Sequence, residues 1–363
     1  MESKLMKSLK SELPVVVALI VLGLGYVFEH AVVAQGGGLL WTGLLVILTA
    51  IIAVAFRISH HAEILALRLG EPYGTLILTL AAVSVEVVIL VVLLQGEPNP
   101  TLARDTVFAA MMFDINGILG LAAIVAGLKH GSAKYNLDSA NSYIAMLMVA
   151  IGVGMFIPDF VPESKWEIYS VFSIAVMAMM YIAFLRLQTV EHRTFFEYSS
   201  GVGDEVHDVL HSPNSLHVSI MVVAIVLVGL LSEVMSVLLD AGLHGSDLPK
   251  AIPAVLVALI SASPEILTAL RAAQNNRMQT TVNIALGASL ATVLLTLPVI
   301  EALALLNGER IVMALTPIQG GVLLLTFVTV MNNLHDGETN AIEGVSHFAL
   351  FAAFIMLVVI GVI

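Results

Sequence analysis

The sequence predicts an all-α polytopic membrane protein of about eleven transmembrane helices, arranged as two inverted five-helix repeats after an extra N-terminal helix. Three observations predict it. Of the 363 residues, 59% are hydrophobic and only 12% are charged, about half the ~25% charge of a soluble domain. The apolar residues form continuous stretches, each near the ~20 residues that a helix needs to cross a bilayer. Lys and Arg are shared unevenly between the two sets of connections. A net charge of −12 with no basic patch argues against nucleic acid as a partner. With Cys 0, thiolate metal sites and thiol chemistry are excluded.

The expected spans are 14–34, 39–59, 74–95, 105–128, 141–161, 166–187, 216–239, 251–271, 280–306, 311–331 and 341–362. Membrane strands are not expected, because the stretches are long and continuous rather than short and alternating. The first stretch follows three lysines and ends near Val32-Val33-Ala34, the order of a signal peptide. Its apolar run is longer than a usual signal, so it is read as a span. With eleven spans, the connections on one face hold only Arg104, Lys165, Lys250 and Arg310 of the 15 Lys and Arg. The positive-inside rule then puts the N-terminus in the cytoplasm and the C-terminus outside. Trp41 and Trp166 both begin spans on the outer face, where interfacial anchors belong. The surrounding partner is membrane lipid.

The longest polar stretch, 188–213, faces the cytoplasm. It holds five acids, Arg193, His192, His207 and His211, and reads as a solvated linker. A weak cation-sensing segment is the sharper reading of the same residues. The stretch separates a first segment 1–37 and a first five-span repeat 38–187 from a second repeat 214–363. Five crossings are an odd number, so the second repeat is upside-down relative to the first. Sequence echoes support the division. Leu80, Ser84 and Glu86 in span 3 match Leu259, Ser263 and Glu265 in span 8. One span earlier, Ala62-Glu63-Ile64-Leu65 echoes Ser232-Glu233-Val234-Met235.

Glu86 and Glu265 fall about twelve residues into their spans, near the bilayer midplane at ~1.5 Å per residue. A carboxylate there costs at least ~2.5–3.5 kcal/mol and marks a functional site by default. They are the candidate cation- and proton-binding residues, and the metal ligands. Secondary ligands are expected among Ser84, Ser261, Ser263, Asp114, Asn116, Asn283 and Ser289. Helix-to-helix hydrogen bonding is the plainer reading of Asn116 and Asn283. Glu63 and Glu233, nearer the ends of their spans, are candidate access-path acids. His60 and His61 are expected at the interface, while Glu301, Glu343 and His347 carry no assigned role. Gly117, Gly120, Gly127 and Gly287 are expected to let helices approach closely. Pro264, beside Glu265, is expected to break its helix and free a carbonyl.

The stretch His61-Ala62-Glu63-Ile64-Leu65-Ala66-Leu67-Arg68-Leu69-Gly70-Glu71-Pro72-Tyr73-Gly74, continuing to Glu86, resembles bacterial calcium/proton antiporters of the cation/calcium exchanger superfamily, in particular the Cha branch. Arg104-Asp105-Thr106, Ser232-Glu233, Ser263-Pro264-Glu265 and the run Asn283 to Thr292 resemble it too. The resemblance implies an eleven-helix fold in which each inverted half carries one essential acid, mapping onto Glu86 and Glu265. The wider family's motif reads Gly-Asn-Ala-x-Glu. Here its first two positions are Ala82-Val83 and Ser261-Ala262, so the side-chain oxygens around the site differ.

The function expected is secondary antiport, not enzymatic catalysis, with cytoplasmic Ca²⁺ exchanged for protons and no cofactor. Ca²⁺ takes about six to eight oxygens, of which two bidentate carboxylates supply at most four. Protons compete at the same oxygens because desolvation favours the neutral carboxyl. Na⁺(K⁺)/H⁺ exchange on the same carboxylates is the alternative. Two remoter readings are a passive cation channel and an intramembrane aspartyl protease. The protease reading uses Gly201-Val202-Gly203-Asp204 with Asp114, but it needs both aspartates within the membrane, and Asp204 lies in the polar linker.

Overall fold

Hydrocarbon offers backbone N–H and C=O groups no partner, so each apolar stretch satisfies its own backbone as a helix. The computed structural model describes residues 12–70, 73–96, 99–188, 213–244, 246 and 248–363. Eleven helices run through them: α1 Leu13–Gln35, α2 Gly37–Leu69, α3 Tyr73–Leu94, α4 Leu102–His130, α5 Leu137–Phe160, α6 Glu163–Arg186, α7 Asn214–Leu243, α8 Ile252–Gln274, α9 Met278–Asn307, α10 Pro317–Asn333 and α11 Ala341–Val359. Ten of them are long and apolar enough to cross a membrane. The tenth expected span is the shortest helix. Thr316 caps it at residue 317 with a reciprocal Gln319 bond, leaving 17 residues, about 25 Å. The acidic linker, its histidines and the Gly201–Asp204 string lie outside the described residues, except for the linker's ends at Gln188 and Pro213.

The helices gather into two compact units that cut across the two sequence repeats. In the first, α7 packs along α2 and also on α3 and α1, with α1 and α3 on α2. His60 is exposed, as expected at an interface, but His61 is not. It is 3% exposed, with its Nδ1 2.8 Å from Nδ1 of His217 on α7. Glu12, at the start of α1, bonds Arg57 and lies 3.3 Å from Nε2 of His61. Burial pushes the Glu12 carboxyl up, but Arg57 and His61 beside it outweigh this and hold it below its ordinary range. The histidine is drawn inward by partners on two other helices, which a single-helix reading cannot see.

The second unit holds α4–α6 and α8–α11. Its pairings follow the inverted repeat. α4 packs on α11 as α9 packs on α6, and α4 meets α10 as α9 meets α5. Two short strands, β1 Ser132–Lys134 and β2 Glu338–Asn340, pair antiparallel with Ala133 opposite Thr339 and tie the end of α4 to the start of α11. Hydrogen bonds from Ser132 and Lys134 hold the Glu338 carboxyl below its usual range.

α4 and α11 approach backbone to backbone. A Cβ on Gly344 would lie 2.5 Å from the Ile124 nitrogen and 2.6 Å from the Gly120 oxygen. Gly127 is as close to Ala341, so Gly120 and Gly127 do what their composition suggests. Gly117 and Gly287 do not, since a Cβ on either meets only ordinary contacts at 3.4 and 3.5 Å. Gly344→Ala should therefore lower stability by about 1–3 kcal/mol through overpacking. Gly287→Ala should leave it unchanged or higher; thermal unfolding of the two purified variants in detergent checks the contrast.

Candidate functional site

Each unit contributes acids that the sequence marks. In the first unit, α3 buries Glu86 to 1% exposure. Ser84, two residues earlier, is half-buried and donates to the Leu80 carbonyl of its own helix at 2.6 Å. Glu63 on α2 and Glu233 on α7 are both exposed. Glu233 accepts a 2.6 Å hydrogen bond from the Tyr26 hydroxyl of α1, so the extra first helix touches one candidate access-path acid directly.

In the second unit, Glu265 is half-buried on α8, with Ser261 and Ser263 half-buried beside it in sequence. The expected break at Pro264 is absent, and α8 is continuous from Ile252 to Gln274. Neighbouring hydroxyls add side-chain bonds to carbonyls of the same helix. Ser263 donates to the Leu259 carbonyl at 2.5 Å and Thr268 to the Pro264 carbonyl at 3.0 Å. Ser84 and Ser263 thus mirror one another, each turned back on its own helix with its oxygen lone pairs left over.

The helical irregularities lie elsewhere. α4 has a π segment at Met112–Ile118 and α9 has one at Thr292–Thr296, in the two spans that the repeat matches. α5 has a third at Gly152–Phe156. Wide turns of this kind concentrate at functional sites because they reset which side chains face inward. The α4 turn carries Asp114 and Asn116, which are 3% and 0% exposed. Asp114 Oδ2 accepts a 3.0 Å bond from the buried Ser289 hydroxyl of α9.

Asn116 points to another set. Its Nδ2 donates to Thr326 Oγ1 on α10 at 2.8 Å, and its Oδ1 lies 3.1 Å from Nδ1 of His347 on α11. Since Nδ2 is spent as a donor, Oδ1 is the acceptor and His347 carries its proton on Nδ1. Asn283 belongs to a further set of hydrogen bonds. It accepts from Gln279 Nε2 at 2.8 Å, and Gln279 in turn receives the Asn136 backbone N–H and donates to Ser139 at the start of α5. The counterpart in the other half is Asp105, which accepts from Gln319 at the start of α10 at 2.7 Å. Arg104-Asp105 is therefore a helix-end clamp.

Thr326 and His347 are the residues that sequence reasoning missed. His347 had a signal, an ionisable side chain within a span, while Thr326 had none. Among the described residues no three carboxylates or imidazoles converge on one point. Any cation must take much of its shell from hydroxyls, carbonyls and water.

The profile of the sodium/calcium exchanger protein family matches residues 39–190 and 216–360, once in each half. The sodium-potassium/proton antiporter ChaA of Escherichia coli is 34% identical over 322 residues, covering 86% of this chain and 88% of its own length. The Ca²⁺/H⁺ antiporter ChaA of Bacillus subtilis is 25% identical, covering 85% and 88%. Among solved structures, native YfkE superposes with a TM-score of 0.74 at 17% identity, over 94% of this chain and 99% of that one.

Cutting the Asn116 set should be costly because it lies in a dry interior. Thr326→Val leaves the Asn116 amide without its acceptor and should destabilise the protein by about 1–3 kcal/mol. Thr326→Ser keeps the acceptor and should lie much nearer the wild type. Melting curves of the two variants, purified in parallel, check this.

Proposed function

Because the chain belongs to the sodium/calcium exchanger protein family, we propose that it is a secondary antiporter exchanging cytoplasmic Ca²⁺ for protons, with Glu86 and Glu265 as the cation- and proton-binding carboxylates. One observation carries the reading. The inverted halves each place a single acid about midway along matched helices, α3 and α8, and at Glu86 that acid is buried to 1% exposure. A carboxylate at that depth is costly unless a cation or a proton compensates it. Occupancy by one therefore excludes the other, and exposing the carboxylates alternately to the two faces couples the two fluxes.

Asp114 and Ser289, which already bond one another, are the accessory oxygens of the second unit best placed by burial. Ser84, Ser261 and Ser263 add hydroxyl oxygens next to the two glutamates in sequence. Asn116 acts in helix packing instead, since its amide is engaged by Thr326 and His347, while Asn283 accepts from Gln279. Glu63 and Glu233, exposed near helix ends, attract cations to the access paths. The positive-inside rule sets the orientation, with the N-terminus cytoplasmic, the C-terminus outside, and a bacterial inner membrane as the setting.

A second reading has its own support. The 34% identical relative is named a sodium-potassium/proton antiporter, and the same two carboxylates serve a monovalent ion with fewer ligands. Both readings need both acids. Glu86→Gln and Glu265→Gln are each expected to reduce ΔpH-driven uptake of Ca²⁺, Na⁺ and K⁺ into inverted membrane vesicles to background. Uptake at wild-type rate in either variant would refute the two-carboxylate assignment.

A further inference from the structure

A further buried acid lies apart from the residues considered so far. Glu301, on the last turns of α9, is 5% exposed. It lines a cleft of about 50 Å³ together with Trp166, Tyr169, Ser170, Arg310 and Met313. That volume has room for a few waters, each needing about 10–15 Å³, and none for an organic ligand. The cleft lies at the end of the unit that carries Lys165 and Arg310, the face that the charge asymmetry assigns to the outside.

Glu301 Oε2 is buried with no hydrogen-bond partner among the described residues. Ser173 of α6 is the polar side chain beside the carboxyl. Three charged or titratable groups on the surrounding elements are committed to other partners. The Tyr169 hydroxyl donates to the Val153 carbonyl at 2.6 Å. Arg310 pairs with Glu163 at 2.8 Å, and Arg104 pairs with Asp105 at 2.8 Å. With no counter-ion, an ionised carboxylate here carries the full desolvation cost, and a bound proton removes it.

The π segment of α9 gives this acid a direction. Ser289, Thr292 and Thr296 are all buried. At about 100° per residue, a regular helix would turn Glu301 roughly 120° away from Ser289. The extra residue of the Thr292–Thr296 turn rotates the rest of α9 back by about 100° and returns Glu301 to within roughly 20° of the Ser289 face. At its inner end, Ser289 donates to Asp114.

We propose that Glu301 is a second proton-binding site, loaded from the outer solution through this cleft, on the α9 face whose far end carries Ser289 and its partner Asp114. The carboxylate takes a proton from hydronium, releasing water. The role in coupling rests on the antiport reading, whereas the proton binding itself does not.

Two measurements on the full-length protein test this separately. Infrared spectra recorded across a pH series should show a protonated-carboxyl stretch that titrates in the wild type and is lost in Glu301→Gln. In proteoliposomes, Glu301→Gln should shift the profile of exchange against the pH of the cleft side without abolishing exchange, and Glu301→Asp should restore the wild-type profile in part. If the wild-type and Glu301→Gln spectra titrate alike, the proton site is wrong. If the band is lost but the cleft-side pH profile superposes on the wild type, the role in coupling is wrong. A titrating Glu301 band in a protein that shows no coupled flux would uphold the site and refute the antiport reading instead. Should Glu301→Gln fail to fold, Glu301→Asp still decides the matter, because its band must move in frequency if this carboxyl is the one that titrates.

Discussion

A carboxyl oxygen inside hydrocarbon has to be given a proton, a cation or a hydrogen-bond donor, and the rest of this structure depends on how that demand is met. The backbone makes no such demand, because helices satisfy it within each span. What remains is a short set of acids: Glu86 at 1%, Asp114 at 3% and Glu301 at 5% exposure, with Glu265 half-buried. Asp114 is given a donor, Ser289. In the antiport proposed, Glu86 and Glu265 are the carboxyls whose occupant is exchanged. Glu63 and Glu233 are exposed on their helices, and Glu233 is given a donor by Tyr26.

Helix irregularity is the means by which polar side chains are aimed. The family's matched spans, α4 and α9, both widen into a π segment, and both segments lie next to buried polar residues. Proline does not play this part. α8 passes through Pro264 without a break. The close glycine contacts between α4 and α11 then hold the α4 turn against His347, and Thr326 and His347 fix Asn116.

Much of this was legible in the sequence, and the reasons for what was not are physical. Hydropathy gave the helices, because membrane spans are long and their composition leaves no other secondary structure. The echo of Leu80-Ser84-Glu86 in Leu259-Ser263-Glu265 pointed to a repeat. The family match falls once in each half, in agreement. Helix α10 began later than its apolar stretch, since Thr316 and Gln319 form a capping box that hydropathy does not register. His61 was misplaced because its partners, Glu12 and His217, come from two other helices. The roles of Thr326 and His347 depend on the α4 π turn, and the alignment of Glu301 depends on the α9 turn. Nothing in residue composition announces where an extra residue will be inserted.

The central claim is that cation and proton compete for one set of carboxylates, so that each moves only against the other. The most direct test is flux in proteoliposomes of the wild-type protein under an imposed ΔpH, with Ca²⁺, Na⁺ and K⁺ offered one at a time. The account predicts Ca²⁺ uptake that dissipates ΔpH in proportion to the cation moved. Uptake of Na⁺ or K⁺ alone would keep the carboxylates and change the substrate. Cation flux that proceeds without consuming ΔpH, or no flux of any of the three, would contradict the account.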